Sequence, residues 1–208
     1  GWEPEAIIDA GDRAWAVRSV RGVAVDASGQ LWFATKAGVA CRTSKGWRFF
    51  EGKDGLPWNE FTGIAAGPAG EVWFTTSRGV IRWNGSEFQY RQGLRWLPSD
   101  AVAQAWVQAE GRAWFATSNG VGFIDQQPMT LAQKAEHYER EIDQYIRRTP
   151  YGFTAEAPLK IPADRSTAAP DDSDNDGLWT AMYGAGECFA YAATRDPKAK
   201  ARATRAFE

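Results

Sequence analysis

Leu31-Trp32-Phe33-Ala34-Thr35-Lys36-Ala37-Gly38-Val39 returns as Val72-Trp73-Phe74-Thr75-Thr76-Ser77-Arg78-Gly79-Val80 and again as Ala113-Trp114-Phe115-Ala116-Thr117-Ser118-Asn119-Gly120-Val121. The step from Trp32 to Trp73 equals the step from Trp73 to Trp114. The same offset relates Gly29, Gly70 and Gly111, relates Val23, Ile64 and Ala105, and carries Trp47 onto Phe88 and Pro57 onto Pro98. A fixed period of about 40 residues marks a repeat architecture, in which each unit buries its apolar face against its neighbours.

Within one period the chain reads as short strands. Residues 22 to 26 run into a turn at Ala27-Ser28-Gly29, residues 30 to 35 form a Trp/Phe/Thr-rich strand, and Lys36-Ala37-Gly38 turns the chain into Val39 to Thr43. A second turn, Ser44-Lys45-Gly46 or Asn84-Gly85-Ser86, leads to the aromatic strand Trp47 to Glu51 or Glu87 to Arg91. The glycines supply the positive backbone angles of tight hairpins, and aromatic and β-branched residues fill the strands. Four antiparallel strands in one such period make a unit of the size of a β-propeller blade.

The core Gly-x-(Leu/Val/Ala)-Trp-Phe-(Ala/Thr)-Thr-x-x-Gly-Val resembles the two-component regulator propeller repeats of bacterial sensor proteins, over residues 1 to about 125. That resemblance implies a multi-bladed propeller exported from the cytoplasm, in the periplasm or secreted. Three complete four-stranded repeats are fewer than the four to eight blades that close a ring. An incomplete ring is therefore expected, joined by self-association or by a missing remainder. Ala6-Ile7-Ile8-Asp9-Ala10-Gly11-Asp12 falls one period before Trp47-Arg48-Phe49-Phe50-Glu51-Gly52-Lys53 and reads as the last strand of a preceding blade. The expected domains are residues 1 to 127, propeller repeats, and 128 to 208, a helical domain that ends inside a helix.

Composition excludes several classes. A net charge of -2 over 208 residues gives no basis for binding nucleic acid or an anionic membrane surface, and no apolar stretch is long enough to span a bilayer. Of the 11 Trp, the repeat places three as blade core and leaves Trp2, Trp15, Trp58, Trp83, Trp96 and Trp106 to packing between blades or to exposed stacking platforms. Cys41 and Cys188 lack metal-ligand spacing. His137 is the one histidine and shares a helix face with Lys134 and Glu141, so mechanisms that need a Ser-His or Cys-His pair, and His-based zinc sites, are disfavoured.

From Met129 onward the strand pattern stops. Thr130-Leu131-Ala132-Gln133 has the form of a capping box. Leu131, Ala135, Tyr138, Ile142, Tyr145 and Ile146 then recur at steps of three and four, predicting an amphipathic helix to about Arg148. Residues 149 to 176 read as a long loop rich in Pro, Ala, Asp and Ser. A second helix is expected from Leu178 to about Thr194, and a third from the Asp196-Pro197 cap.

The loop ends in Asp171-Asp172-Ser173-Asp174-Asn175-Asp176-Gly177. Two readings of it stand side by side. Asp172, Asp174 and Asp176 alternate as calcium ligands would in the first half of an EF-hand, although Tyr183 stands where the bidentate Glu belongs. Alternatively they are an acidic helix start with Asp176 as cap. On the following helix Leu178, Met182, Ala185, Phe189 and Ala192 share one side and Trp179, Tyr183, Glu187 and Tyr191 another. A carboxylate among three rings downstream of an Asp cluster fits a sugar site, with rings to stack on and carboxyls to move protons.

The segment from Asp172 to Tyr183, followed by Phe189-Ala190-Tyr191-Ala192-Ala193-Thr194-Arg195-Asp196-Pro197, resembles the opening of an α/α-toroid domain. That resemblance implies a carbohydrate-active hydrolase or lyase. Asp176 or Glu187 would be the general acid or base, Tyr183 would join them in lyase chemistry, and Trp179 and Tyr191 would contact substrate. The expected function is binding or cleavage of a polysaccharide. The alternative is a non-enzymatic sensor or interaction propeller that works through the loops Lys53 to Glu60 and Gly93 to Asp100.

Overall fold

The computed structural model describes residues 1–3, 19–146 and 152–208, so the strand expected at Ala6 to Asp12 lies outside the described residues. The chain divides into two units, Gly1–Gln127 and Pro128–Glu208.

The first unit is a row of β-propeller blades. β1 (Gly22–Val25), β2 (Leu31–Ala34), β3 (Val39–Thr43) and β4 (Gly46–Phe50) form one antiparallel sheet in that order. β5 (Gly63–Ala66), β6 (Val72–Thr76), β7 (Gly79–Trp83) and β8 (Phe88–Arg91) repeat it. β9 (Val102–Val107), β10 (Ala113–Thr117) and β11 (Gly120–Ile124) form the third sheet, with three strands among the described residues. A fourth strand of that blade would begin one period after Phe88, at Met129, where the chain instead carries the Thr130 helix cap.

Registers repeat with the sequence. Trp32 stands opposite Ala24 and Cys41, Trp73 opposite Ala65 and Arg82, and Trp114 opposite Trp106 and Phe123. The innermost strands sit side by side, β1 against β5 and β5 against β9. β6 is buried along its whole length because it is a central strand of the middle blade and both its faces meet a neighbour.

The repeated Thr-x-x-Gly has a local cause. Thr35 Oγ1 donates to the Gly38 carbonyl at 2.8 Å and accepts from Ala37 N–H at 3.0 Å. Thr76 and Thr117 close their turns in the same way on Gly79 and Gly120. At Gly79, φ is +113° and a Cβ would lie 2.4 Å from the Arg91 carbonyl oxygen, so both backbone angle and space require glycine.

Two apolar layers hold the blades together. Trp32, Ala34, Val39, Cys41 and Phe50 of the first blade meet Val72, Phe74, Ile81 and Trp83 of the second, closed by Leu56 and Phe61 from the connecting loop. Trp73 and Val80 meet Val102, Ala113, Phe115 and Ile124 of the third, closed by Leu97. Burying a side chain of this size stabilises by about 1.5–3 kcal/mol, so these layers dominate the unit's stability.

The second unit is helical. α1 (Leu131–Glu141) carries the expected capping box: Gln133 N–H donates to Thr130 Oγ1 at 3.2 Å, and Thr130 N–H to Gln133 Oε1 at 2.9 Å. It continues as a π-helical turn over Ile142–Ile146. The segment expected to be a long loop is folded back on itself, with bridges pairing Glu156 with Asp171 and Leu159 with Ala168. α2 (Asp176–Thr194) and α3 (Pro197–Phe207) then pack together, and Asp196 caps α3 by accepting from Lys198 N–H at 2.9 Å.

Candidate functional site

In the propeller unit the β2–β3, β6–β7 and β10–β11 turns lie at the same end of the sheets as the loops between blades. Phe61 N–H donates to the Thr35 carbonyl, Gly79 N–H to Asp100 and Ser118 N–H to Ala101, which fastens each loop to a turn. On this rim two indoles are overlain by arginines. The Arg78 guanidinium lies 5.2 Å from the ring centroid of Trp58, and those of Arg91 and Arg95 lie 4.8 and 5.6 Å from that of Trp96. The Tyr90 hydroxyl donates to the Arg78 carbonyl and links the two groups; burial pushes its pKa up, Asp100 adds to the rise and Arg78 opposes it. Gly93 N–H donates to Asp100 at 2.6 Å and fixes the loop that carries Trp96.

A guanidinium stacked on an aromatic face keeps its plane defined while its N–H edge stays free for a carboxylate. Arg78 and Arg95 are exposed and Trp96 is 37% exposed, so the rim offers oriented cations beside aromatic surface. Trp58 and Trp96 were among the indoles that the repeat left unassigned. The partners of Trp96 are local, Arg95 being its neighbour in sequence, whereas Arg78 reaches Trp58 only through the pairing of β5 with β6.

In the helical unit the sequence-derived candidates are dispersed. Asp172 and Asp174 are exposed. The Asp176 carboxylate turns back to accept Ser173 N–H and Oγ–H, both at 3.2 Å. Among the described residues no three His, Cys, Asp or Glu side chains gather as a metal-ligand set. Tyr183 donates its hydroxyl to Glu139 at 2.7 Å, and Glu139 is bridged to Arg202, which also meets Asp143. Burial alone would lower the Arg202 pKa; the neighbouring Glu139 and Asp143 carboxylates override this and raise it. Tyr191 lies beneath Arg195 and Lys200.

Glu187 is 7% exposed, whereas Leu178, Met182 and Phe189 are exposed. The buried side of α2 is thus the mixed one, with Thr180 hydrogen-bonded to Thr154. Trp179 lines a shallow depression of about 340 Å³ with Ile146, Thr154, Ala155 and Glu156. None of Asp172, Asp174, Asp176 or Glu187 borders it.

No family model matches the sequence, and no curated protein matches it. Solved structures do resemble it. A streptogramin B lyase is 21% identical over 52% of this chain and 37% of its own, with a TM-score of 0.44. The extracellular domain of a hybrid two component system from B. thetaiotaomicron is 18% identical over 74% and 20%, with a TM-score of 0.47. Virginiamycin B lyase from Staphylococcus aureus, crystallised with quinupristin, is 21% identical over 53% and 39%, with a TM-score of 0.44. This chain therefore spans two fifths or less of each of those chains. Blade order and register carry the fold assignment. No helix among the described residues is long and apolar enough to cross a membrane.

Proposed function

We propose that the chain is a non-catalytic recognition module of an exported protein, and that its propeller rim binds an acidic polysaccharide. The observation that supports this most is the pairing of Trp58 with Arg78 and of Trp96 with Arg91 and Arg95 at the loop end of the sheets. Sugar rings present apolar faces to indoles, and uronic acid carboxylates match guanidinium edges. The test is a panel of neutral and uronic-acid polysaccharides incubated with the wild type and with Arg78→Ala, Arg95→Ala and Trp96→Ala, with and without calcium. Binding confined to the acidic polymers, and weakened about tenfold by each substitution (about 1.4 kcal/mol), is expected. Equal binding by all variants contradicts the reading.

A second reading, cleavage by the helical unit as the opening of an α/α-toroid, draws support from one observation. Glu187 is buried on the same helix that brings Trp179 to the depression beside Glu156. On that reading Glu187→Gln abolishes turnover and leaves binding intact. Oligosaccharide released by the wild type but not by Glu187→Gln would replace the recognition reading.

A further inference from the structure

The two outer faces of the blade row are built as blade interfaces. Moving residue by residue through the repeat offset, Leu31 and Phe33 on the outer face of the first blade correspond to Val72 and Phe74, which receive the first blade and are 0% exposed. Val23 and Val25, at the positions of Ile64 and Ala66 in that same layer, are 53% and 57% exposed. Phe33, Ala40, Trp47 and Phe49 form a separate apolar cluster on this face. A depression of about 900 Å³ is lined by Phe33, Arg42 and Trp47 among others.

The far side of the third blade matches in the opposite sense. Trp114 and Val121 correspond to Trp73 and Val80, which are 1% and 0% exposed against the third blade. Val121 itself is 66% exposed, and Trp106 and Phe123 beside it are 61% and 49% exposed. One end face therefore has the form that accepts a preceding blade and the other the form that accepts a following one. Their complementarity is already realised twice inside the chain.

We infer that the occupant of both faces is a second copy of this chain. The third blade of each copy docks on the first blade of the other. Two such contacts close a two-fold ring, and two copies of three blades make six, within the range of closed propellers. Face-to-face pairing of identical ends is disfavoured because neither end corresponds to its own partner in the internal interfaces.

The test is the mass in solution by light scattering and sedimentation, with folding checked by circular dichroism. The wild type is expected at twice 23.0 kDa. Val23→Glu with Val25→Glu, and separately Val121→Lys with Phe123→Glu, alter exposed positions and should each halve the mass with the fold retained. Met182→Lys with Phe189→Glu, on the exposed stripe of α2, should leave it doubled. A monomeric wild type, an open-ended polymer, indifference to both end-face variants, or a mass halved by the α2 variant would each overturn the inference.

Discussion

The Asp26 carboxylate accepts the indole N–H of Trp32 at 2.8 Å, with both side chains buried. Its other oxygen accepts Ser28 and Gln30 N–H, each at 2.9 Å, so one residue closes the hairpin turn and satisfies the blade-core Trp. Asp26→Ala leaves a buried N–H without a partner and should cost about 1–3 kcal/mol, read as a lower denaturant midpoint at unchanged slope. Asp26→Asn keeps one acceptor oxygen and turns its NH2 towards the donors served by the other, so it should recover only part of that loss. Equal losses would show that both carboxylate oxygens are needed.

The second blade solves the same turn differently. Gly67 holds the position of Asp26, and the buried Glu71 folds into the vacated space and accepts Ala69 N–H at 3.0 Å. A Cβ on Gly67 would lie 2.0 Å from Glu71 Oε1, while Trp73 Nε1 is buried and has no hydrogen-bond partner among the described residues. Gly67→Ala should therefore destabilise by about 1–3 kcal/mol through displacement of Glu71. Gly67→Asp combined with Glu71→Gln recreates the arrangement of the first blade and supplies Trp73 with an acceptor. That double variant should be at least as stable as the wild type. A loss equal to that of Gly67→Asp alone would contradict the account.

Both cysteines are free thiols, but Cys41 is buried and Cys188 exposed. Burial pushes the Cys41 thiol from 9.0 up to about 12, Asp26 adds to the rise and Arg48 opposes it. A thiol-exchange reagent should label Cys188 alone in the native protein and both after unfolding. Because the folded pKa is the higher one, the neutral Cys41 thiol contributes stability in full below 9.0, and that contribution is lost as pH rises through about 12. Cys41→Ala should flatten the fall in stability over that window. An unchanged slope would assign the fall to other groups.

Glu139 ties α1 to both later helices, accepting Tyr183 O–H at 2.7 Å and Arg202 at 3.0 Å. Tyr183→Phe should cost about 0.5–1.5 kcal/mol, and Glu139→Ala more, since it also leaves Arg202 without its closer carboxylate. Chemical denaturation ranks the two. A smaller loss in Glu139→Ala than in Tyr183→Phe would contradict this network.

What was legible in the sequence follows from where its signal is periodic. Strand positions, turns and blade core repeat once per blade because each blade meets the same neighbours, and the Thr130 and Asp196 caps are local patterns of a few residues. Leu178, Met182 and Phe189 share one side of α2 by spacing, yet that side is exposed and Glu187 and Thr180 are buried instead. Spacing identifies sides of a helix and is silent on which one a neighbour covers. The Trp58–Arg78 pair is illegible for a related reason. Trp58 lies in the β4–β5 loop and Arg78 in the β6–β7 turn, and the pairing of β5 with β6 brings them together.

The measurement that tests the central claim most directly is titration calorimetry of a uronic-acid polymer into the wild type and into the variant carrying Arg78→Ala, Arg95→Ala and Trp96→Ala together. The account predicts saturable heat for the wild type that weakens with added salt, and none for the triple variant whose circular dichroism is unchanged. Identical isotherms for the two proteins, or none for the wild type, would contradict it.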